Sequence, residues 1–522
     1  VVEATVTAAG DCLTLPVRAT VDAGSVQLGG AAARDVVVDA GAQTMTACGA
    51  GWDVGATVTL EADLTVALET WGGSQVGYSI SDDANRGHFY YLVSWVGGCD
   101  RFGPCDHAPD VFARYRFTIT HPADVTVLCP GTVTAGATET TCEFDHDGGP
   151  TYSTFGVVAS NDWDVSALGT WDGVAVTAYN RRGSGVVGRI DAASQTAFLA
   201  WMRQTFGAFP YGDELRLVTG PTYWLGFEHP GNIVLLDTLD RQLNPAYRDP
   251  VNHTLTHELA HQWAGDQTTL ADTYDFVWKE SMAEYLAFVH EDTLDAATAQ
   301  RTALAWKSFA VGAAFYPVPE EHPPLLDYYG EVYGPGPMIL FRQLEALASR
   351  DAVIAALQEL LGRPHAISVA DVRAALEDTT GLDLGGYFDR WAIGTGAPTW
   401  PTFEVTTEDQ GGGAIAVTVR QATPTDALYG CAFAVELDGA NPDERAEVWI
   451  DLGVDGTAQV TEVAQGVTFA VTGTVLDPHG SCLAYPATAA AAPAPAPRGL
   501  VGSLPRARPQ PPARGLDLRG HG

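Results

Sequence analysis

His257 and His261 stand four residues apart in Leu255-Thr-His-Glu-Leu-Ala-His-Gln-Trp. On a helix that spacing turns both imidazoles to one face, where they can hold a single ion. Glu258 sits one step round the helix, able to reach a water beside that ion while staying off the coordination positions. With 13 histidines in 522 residues, such a pattern arises by chance in roughly one chain in seventy, so it does not decide the matter alone. Glu280 adds the missing constraint. It follows His261 by nineteen residues, near the start of the next helical stretch, in Val277-Trp-Lys-Glu-Ser-Met-Ala-Glu-Tyr. Two antiparallel helices with a short connection would return this carboxylate to the histidine pair. Two imidazoles and one carboxylate leave a fourth position for water, the layout of a catalytic zinc site. The donor types also suit zinc better than calcium or Cu(I), and one zinc per chain is expected. Glu284, one turn along the same face, is the alternative to Glu280. His253 lies two turns before His261, too far to share its ion, and is left to a supporting or surface place.

The elements that must position these groups are legible in the periodicity. From Val1 to about Asn180 alternating runs such as Tyr115-Arg-Phe-Thr-Ile-Thr, broken by turn residues, read as a β region. Near Ala192 the period changes to that of a helix. Helices are expected at 252–264, 276–290, 296–309, 337–348, 352–361 and 369–376, with Asp351 as an N-cap and Gly362-Arg-Pro as a stop. Strand patterning returns from Phe403 to about Leu483. The Ala/Pro-rich, arginine-bearing stretch from 487 to 522 has too little apolar content to pack and reads as disordered.

The whole is thus a multidomain α+β chain: an N-terminal β-sheet domain (1–180), a mostly α-helical catalytic domain (181–398), a small C-terminal β-sandwich (399–486) and a tail (487–522). A chain of this length exceeds a single hydrophobic core. A formal net charge of −36 argues against a nucleic-acid partner, which needs a basic face. There is no apolar run of 18 residues, so no membrane span is expected. The eight cysteines contain no C-x-x-C pair and lie in or beside strand-like stretches, which points to disulfides in an oxidising compartment, secreted or periplasmic. The pairs expected are Cys99–Cys105, Cys129–Cys142 and Cys431–Cys482, leaving Cys12–Cys48 by elimination. The chain starts at Val1, which fits a processed form or a truncated one.

His257-Glu-Leu-Ala-His-Gln-Trp-Ala-Gly-Asp and Asp275-Phe-Val-Trp-Lys-Glu-Ser-Met-Ala-Glu-Tyr together resemble the metal-binding segments of the aminopeptidase N family of gluzincin metallopeptidases. Leu225-Gly-Phe-Glu-His-Pro-Gly-Asn resembles that family's exopeptidase motif, and Val332-Tyr-Gly-Pro-Gly-Pro-Met its oxyanion tyrosine segment. Further likeness, over about residues 50 to 485, includes Arg101-Phe-Gly-Pro-Cys-Asp-His and Phe388-Asp-Arg-Trp-Ala-Ile-Gly. The resemblance implies a thermolysin-like catalytic domain in a three-domain form, without the family's large C-terminal helical domain. It implies substrate-binding positions at Gly226, Phe227 and Glu228, with Glu228 holding the free amino terminus of a peptide, and an oxyanion donor at Tyr333. Three departures stand out: Leu225 and Phe227 where Gly and Met are usual, Ser281 for a usual Gly, and Gly334-Pro335 for a charged pair.

The implied reaction is release of N-terminal residues from peptides. Glu258 takes a proton from water as general base and returns it to the leaving amine, while Tyr333 receives the charge on the carbonyl oxygen. A free α-amine has a pKa of roughly 8 and is cationic at neutral pH, which is why a fixed carboxylate selects it. Asp275 is expected to hold a ligand histidine in its tautomer. Two other readings stay open: a zinc endopeptidase of the same clan, which has no need of Glu228, and a catalytically silent zinc-binding surface protein.

Overall fold

The computed structural model describes residues 1–68, 76–83, 87–145, 155–242, 247–424 and 426–487. Nearly all of the stretch from 487 to 522, expected to be disordered, lies outside them. The fold is α+β. Among the described residues before 160 every element but one short 3-10 turn is a strand, as the alternating sequence requires. Strands Val2–Thr5, Thr57–Glu61, Gln27–Leu28 and Ala31–Ala32 form one sheet, and Gly10–Pro16, Thr44–Trp52 and Asp35–Asp39 another. Their inner faces share a core of their own, with Met45, Ala47, Val58 and Leu60 at its centre. Cys12 and Cys48 face each other across the second of these sheets, and all four expected disulfides form.

A five-stranded sheet begins the part that carries the metal residues. Its order is Trp163–Trp171, Val174–Arg181, Glu214–Gly220, Asn232–Leu236 and Gly226–Phe227. It therefore takes two strands from the N-terminal side of residue 181. The central pairs run parallel, so the chain must cross over between them, and helix α1 (Ala192–Phe206) makes the first crossing, from Val174–Arg181 to Glu214–Gly220. Asp191 caps it by accepting from the N–H groups of Ala193 and Ser194. Gly226–Phe227 is the antiparallel edge strand. Its return to Asn232 is a Pro-Gly turn closed by a 2.8 Å bond from Asn232 N–H to the His229 carbonyl, with Gly231 at φ 63°, a conformation glycine supplies.

Helix α2 (Pro250–His261) starts with Asp249 as cap and Pro250 in the first turn. Helix α3 (Phe276–Leu294) follows after a short connection and is buried on every side from Phe276 to His290. A helix so enclosed cannot carry unpaired charge, and yet it bears Lys279, Glu280 and Glu284. Helix α4 (Ala296–Ala310) packs against it, capped by Asp295. The expected N-cap at Asp351 is corrected by one turn's start: Ser349 caps a helix over Arg350–Leu360, because its hydroxyl reaches the Ala352 N–H while Asp351 is already inside the first turn. Past residue 400 the chain returns to strands, in a four-stranded and a three-stranded sheet. No helix among the described residues is long and apolar enough to cross a membrane.

Candidate metal centre

Helices α2 and α3 bring His257, His261 and Glu280 together. The two Nε2 atoms are 2.9 Å apart, and Glu280 Oε2 lies 3.4 Å from that of His257 and 3.3 Å from that of His261. All three residues are buried. His261 gives its Nδ1 proton to the Ala264 carbonyl at 2.9 Å, which leaves a lone pair on Nε2. His257 is pushed down by burial and by His261 beside it, so it is neutral, the form a ligand takes. The His261 lone pair thus faces His257 Nε2 and Glu280 Oε2 at 2.9 and 3.3 Å. Four bonds of about 2.0–2.1 Å to one tetrahedral ion place neighbouring donors roughly 3.4 Å apart, close to the two carboxylate distances. The residues fit zinc.

The buried His257 Nδ1 has no hydrogen-bond partner, and its nearest acid is Glu284 Oε1 at 3.7 Å. Glu284 is in turn held by the Tyr247 hydroxyl (2.9 Å), Trp306 Nε1 (3.3 Å) and His253 Nε2 (3.3 Å). His253 also meets Glu291 at 2.6 Å. Burial opposes its charge, but Glu291 and Glu284 outweigh that and lift the imidazole to about 10. So Glu284, weighed as an alternative ligand, stands behind His257, and His253 stands behind Glu284. The role expected of Asp275 is corrected. Its carboxylate accepts from the backbone N–H groups of Val369 and Asp272, at 2.8 and 2.9 Å, tying down the turn before α3. The carboxylate near a histidine of the cluster is Glu284, because a helix repeats its face every four residues and so puts Glu284 beside the histidine Glu280 also touches.

A cavity of about 20 Å³, room for roughly one water, opens on this cluster. Gly226, Phe227, Glu228, Glu258 and Tyr333 line it with the three donors, as do Trp95, Trp224 and Tyr329. A Cβ on Gly226 would fall 2.2 Å from Glu258 Oε1, so glycine there lets the edge strand lie against that carboxylate. Burial, reinforced by Glu228 and Glu280, holds the Glu258 carboxyl well above its usual range. Tyr333 donates to Glu280 Oε2 at 2.8 Å and meets the Tyr329 hydroxyl at 2.5 Å. Burial and then Glu280 raise its phenol, which keeps its proton. Glu228 is placed by Gln262 at the end of α2: its amide donates to the Glu228 carbonyl at 2.9 Å and accepts from Gly231 N–H at 2.8 Å. The Glu228 carboxylate forms an ion pair with Lys279, which also lies 3.1 Å from Glu280 Oε1. Burial disfavours its charge, but Lys279 prevails and holds it below the usual range. Ser281, a departure from the resemblance, fits because residue 336 is glycine: a Cβ there would come within 2.2 Å of the serine oxygen.

Sequence reasoning missed Gln262, Lys279 and Tyr329. For Gln262 the position directly after the second histidine was a signal; for Lys279 there was none, since its partner lies 51 residues away.

Residues 197–318 match the Peptidase family M1 domain, a span that holds Glu228, Glu258 and all three donors and stops short of Tyr333. Over that span the chain is similar to the M1 peptidase family. The chain is also similar to a curated protein, "Aminopeptidase N" of Streptomyces lividans, 26% identical over 299 residues, which are 51% of this chain and 34% of that protein. The chain spans about a third of the length of this relative.

Proposed function

We propose that the chain is a zinc-dependent aminopeptidase that releases N-terminal residues from peptides. The observation that carries this reading is the convergence of Glu228, Glu258 and Tyr333 on one small cavity with His257, His261 and Glu280. Zinc, when bound, supplies Lewis acidity, which polarises a carbonyl and acidifies water. Glu258 is the base that takes the water's proton and passes it to the leaving amine. The Tyr333 hydroxyl, on the donor side of the cavity, receives the developing negative charge of the carbonyl oxygen, a role worth about 3 kcal/mol. Glu228, fixed through its backbone by Gln262, faces the amino end of the substrate. On this reading residues 181–398 are the catalytic domain, 1–180 an N-terminal β domain and 399–486 a small β-sandwich. Four disulfides fit a secreted or periplasmic setting.

A zinc endopeptidase is the second reading, favoured by one observation: the carboxylate meant for a free amine already has a cation. Hydrolysis of a panel of aminoacyl para-nitroanilides by the wild type and by Glu258→Ala, each with and without a chelator, tests the proposal. Turnover abolished by both treatments is the expected result. A zinc-loaded wild type that cuts only internal bonds of long peptides makes it an endopeptidase, and one that cuts nothing is a binding protein.

A further inference from the structure

Two sheets meet beside Glu228, and each sends a ring into a glycine of the other. One is the five-stranded sheet. The other comes from earlier in the chain, in the order Gly77–Asp83, Gly87–Val93, Gly156–Ser160 and Thr126–Leu128. Alternation turns Phe89, Tyr91 and Val93 to one of its faces, where they share a core with Phe227 and Leu235. Gly156 pairs with Val93 and Val158 with Tyr91, so Gly156 opens on that same face. Phe89 fills the space over Gly220, where a Cβ would stand 2.2 Å from its Cζ. His229 makes the reverse contact: a Cβ on Gly156 would stand 2.1 Å from its Nε2 and 2.2 Å from its Cε1. Neither glycine is among the residues of positive φ, so it is space and not backbone conformation that calls for them.

His229 is fully buried. Its Nε2 lies 3.3 Å from the Tyr91 hydroxyl, and its ring packs on Phe227 with centroids 4.5 Å apart. The residue after Glu228 is therefore anchored in a different sheet from the strand that leads up to it. That strand, Gly226–Phe227, is two residues long and lies at an edge, too short to hold the next side chain by itself. Gln262 fixes the Glu228 carbonyl from α2, and the slot over Gly156 fixes the side chain that follows. Together the two points set where the carboxylate stands. For a group that meets an amine at a set distance from the metal donors, a misplacement of about 1 Å costs on the order of a hundredfold.

We infer that His229 is a positioning residue: the earlier sheet grips its ring and so sets the place of Glu228, which makes recognition of the substrate's amino end depend on Tyr91 and Gly156. The inference rests on the aminopeptidase reading and adds to it what holds the amine-binding carboxylate in register.

The test is steady-state hydrolysis of aminoacyl para-nitroanilides by His229→Ala, Gly156→Ala and the double variant, each checked for one zinc per chain. Both single changes should raise KM about tenfold or more and alter kcat less than about threefold, since Glu258 and the donors are untouched. The double variant should be no worse than Gly156→Ala alone, because alanine at 229 leaves the added Cβ nothing to strike. A KM within about threefold of the wild type in both single variants overturns the inference, and so do effects that multiply in the double. Should either variant fail to fold, Tyr91→Phe, which keeps its ring and loses the hydroxyl, decides it: KM raised about threefold or more supports the grip, and an unmoved KM overturns it. Calorimetry on Glu258→Gln protein supplies a readout apart from turnover. Adding Gly156→Ala should weaken a dipeptide amide about tenfold or more and its N-acetyl form less than about threefold; equal weakening of both, or of neither, overturns the inference. If the wild type hydrolyses no aminoacyl substrate, the peptidase reading fails while the calorimetric comparison still decides the role of His229.

Discussion

Two clusters among the described residues gather three side chains capable of holding a metal, with donor atoms within 4.8 Å of one another: His257, His261 and Glu280, and Cys99, Cys105 and His107. They are chemically opposite. In the second, the two sulfurs are joined to each other, and the histidine is engaged by Asp100 at 3.2 Å. Asp100 is buried and also takes Arg18 Nε at 2.7 Å, while Arg18 reaches the Gly97 carbonyl at 2.8 Å. Burial would raise that carboxyl, but His107 and Arg18 outweigh it and keep it low. Every group there already has its bond or its counter-charge, and the product is a staple between residues 1–65 and the sheet that follows. In the first cluster the two Nε2 atoms and Glu280 Oε2 face one another, and each histidine has its supporting group on its far side: the Ala264 carbonyl behind His261, Glu284 behind His257. Proximity of ligand-type residues therefore identifies nothing by itself; what matters is whether the donor orbitals have been spent.

The difference can be broken most sharply at Glu280. Glu280→Gln should lower zinc from one per chain to below about 0.1 by elemental analysis and abolish turnover; full zinc retention would put the donor set elsewhere. Next in size, Tyr333→Phe should leave zinc content alone and reduce kcat by about 10²–10³-fold, with KM changed little. An unaltered kcat would make Tyr333 only a lid on Glu280. Glu284→Gln should weaken zinc about 10–100-fold in a competition with a chromogenic chelator, since it removes the acid behind His257; an unchanged affinity would reduce the Glu284–His253–Glu291 array to packing. Smallest is the paired change Cys99→Ala with Cys105→Ala. It should cost about 2 kcal/mol for a short loop, a few degrees of Tm, and leave zinc stoichiometry and turnover unchanged. A fall in bound zinc there would erase the contrast between the two clusters.

Much of the site was readable along the chain because its information is local. The four-residue repeat of a helix fixes which side chains share a face, so His257, His261 and the pair Glu280 and Glu284 could be named from spacing. The same repeat left the choice between the two glutamates open, since both lie on one face; the packing of α3 against α2 settles that Glu280 meets both Nε2 atoms and Glu284 the back of His257. Asp275 misled because a carboxylate five residues before a ligand looks available, whereas it is consumed by two backbone N–H groups, one of them 94 residues away. Strand alternation likewise gave away the β regions, but not that strands before and after residue 181 join one sheet, because pairing partners are chosen by burial and not by neighbourhood.

By itself, then, the sequence determined the chemistry available: two imidazoles, a carboxylate and a base at helical spacing, eight cysteines placed for four bridges, and the periodicity that says helix or strand. The tertiary structure alone decided which buried charges meet. Glu228 and Lys279 come from an edge strand and a central helix, and no periodic rule links them. They are joined because an apolar interior cannot hold either charge unpaired, and the fold places them within reach of each other.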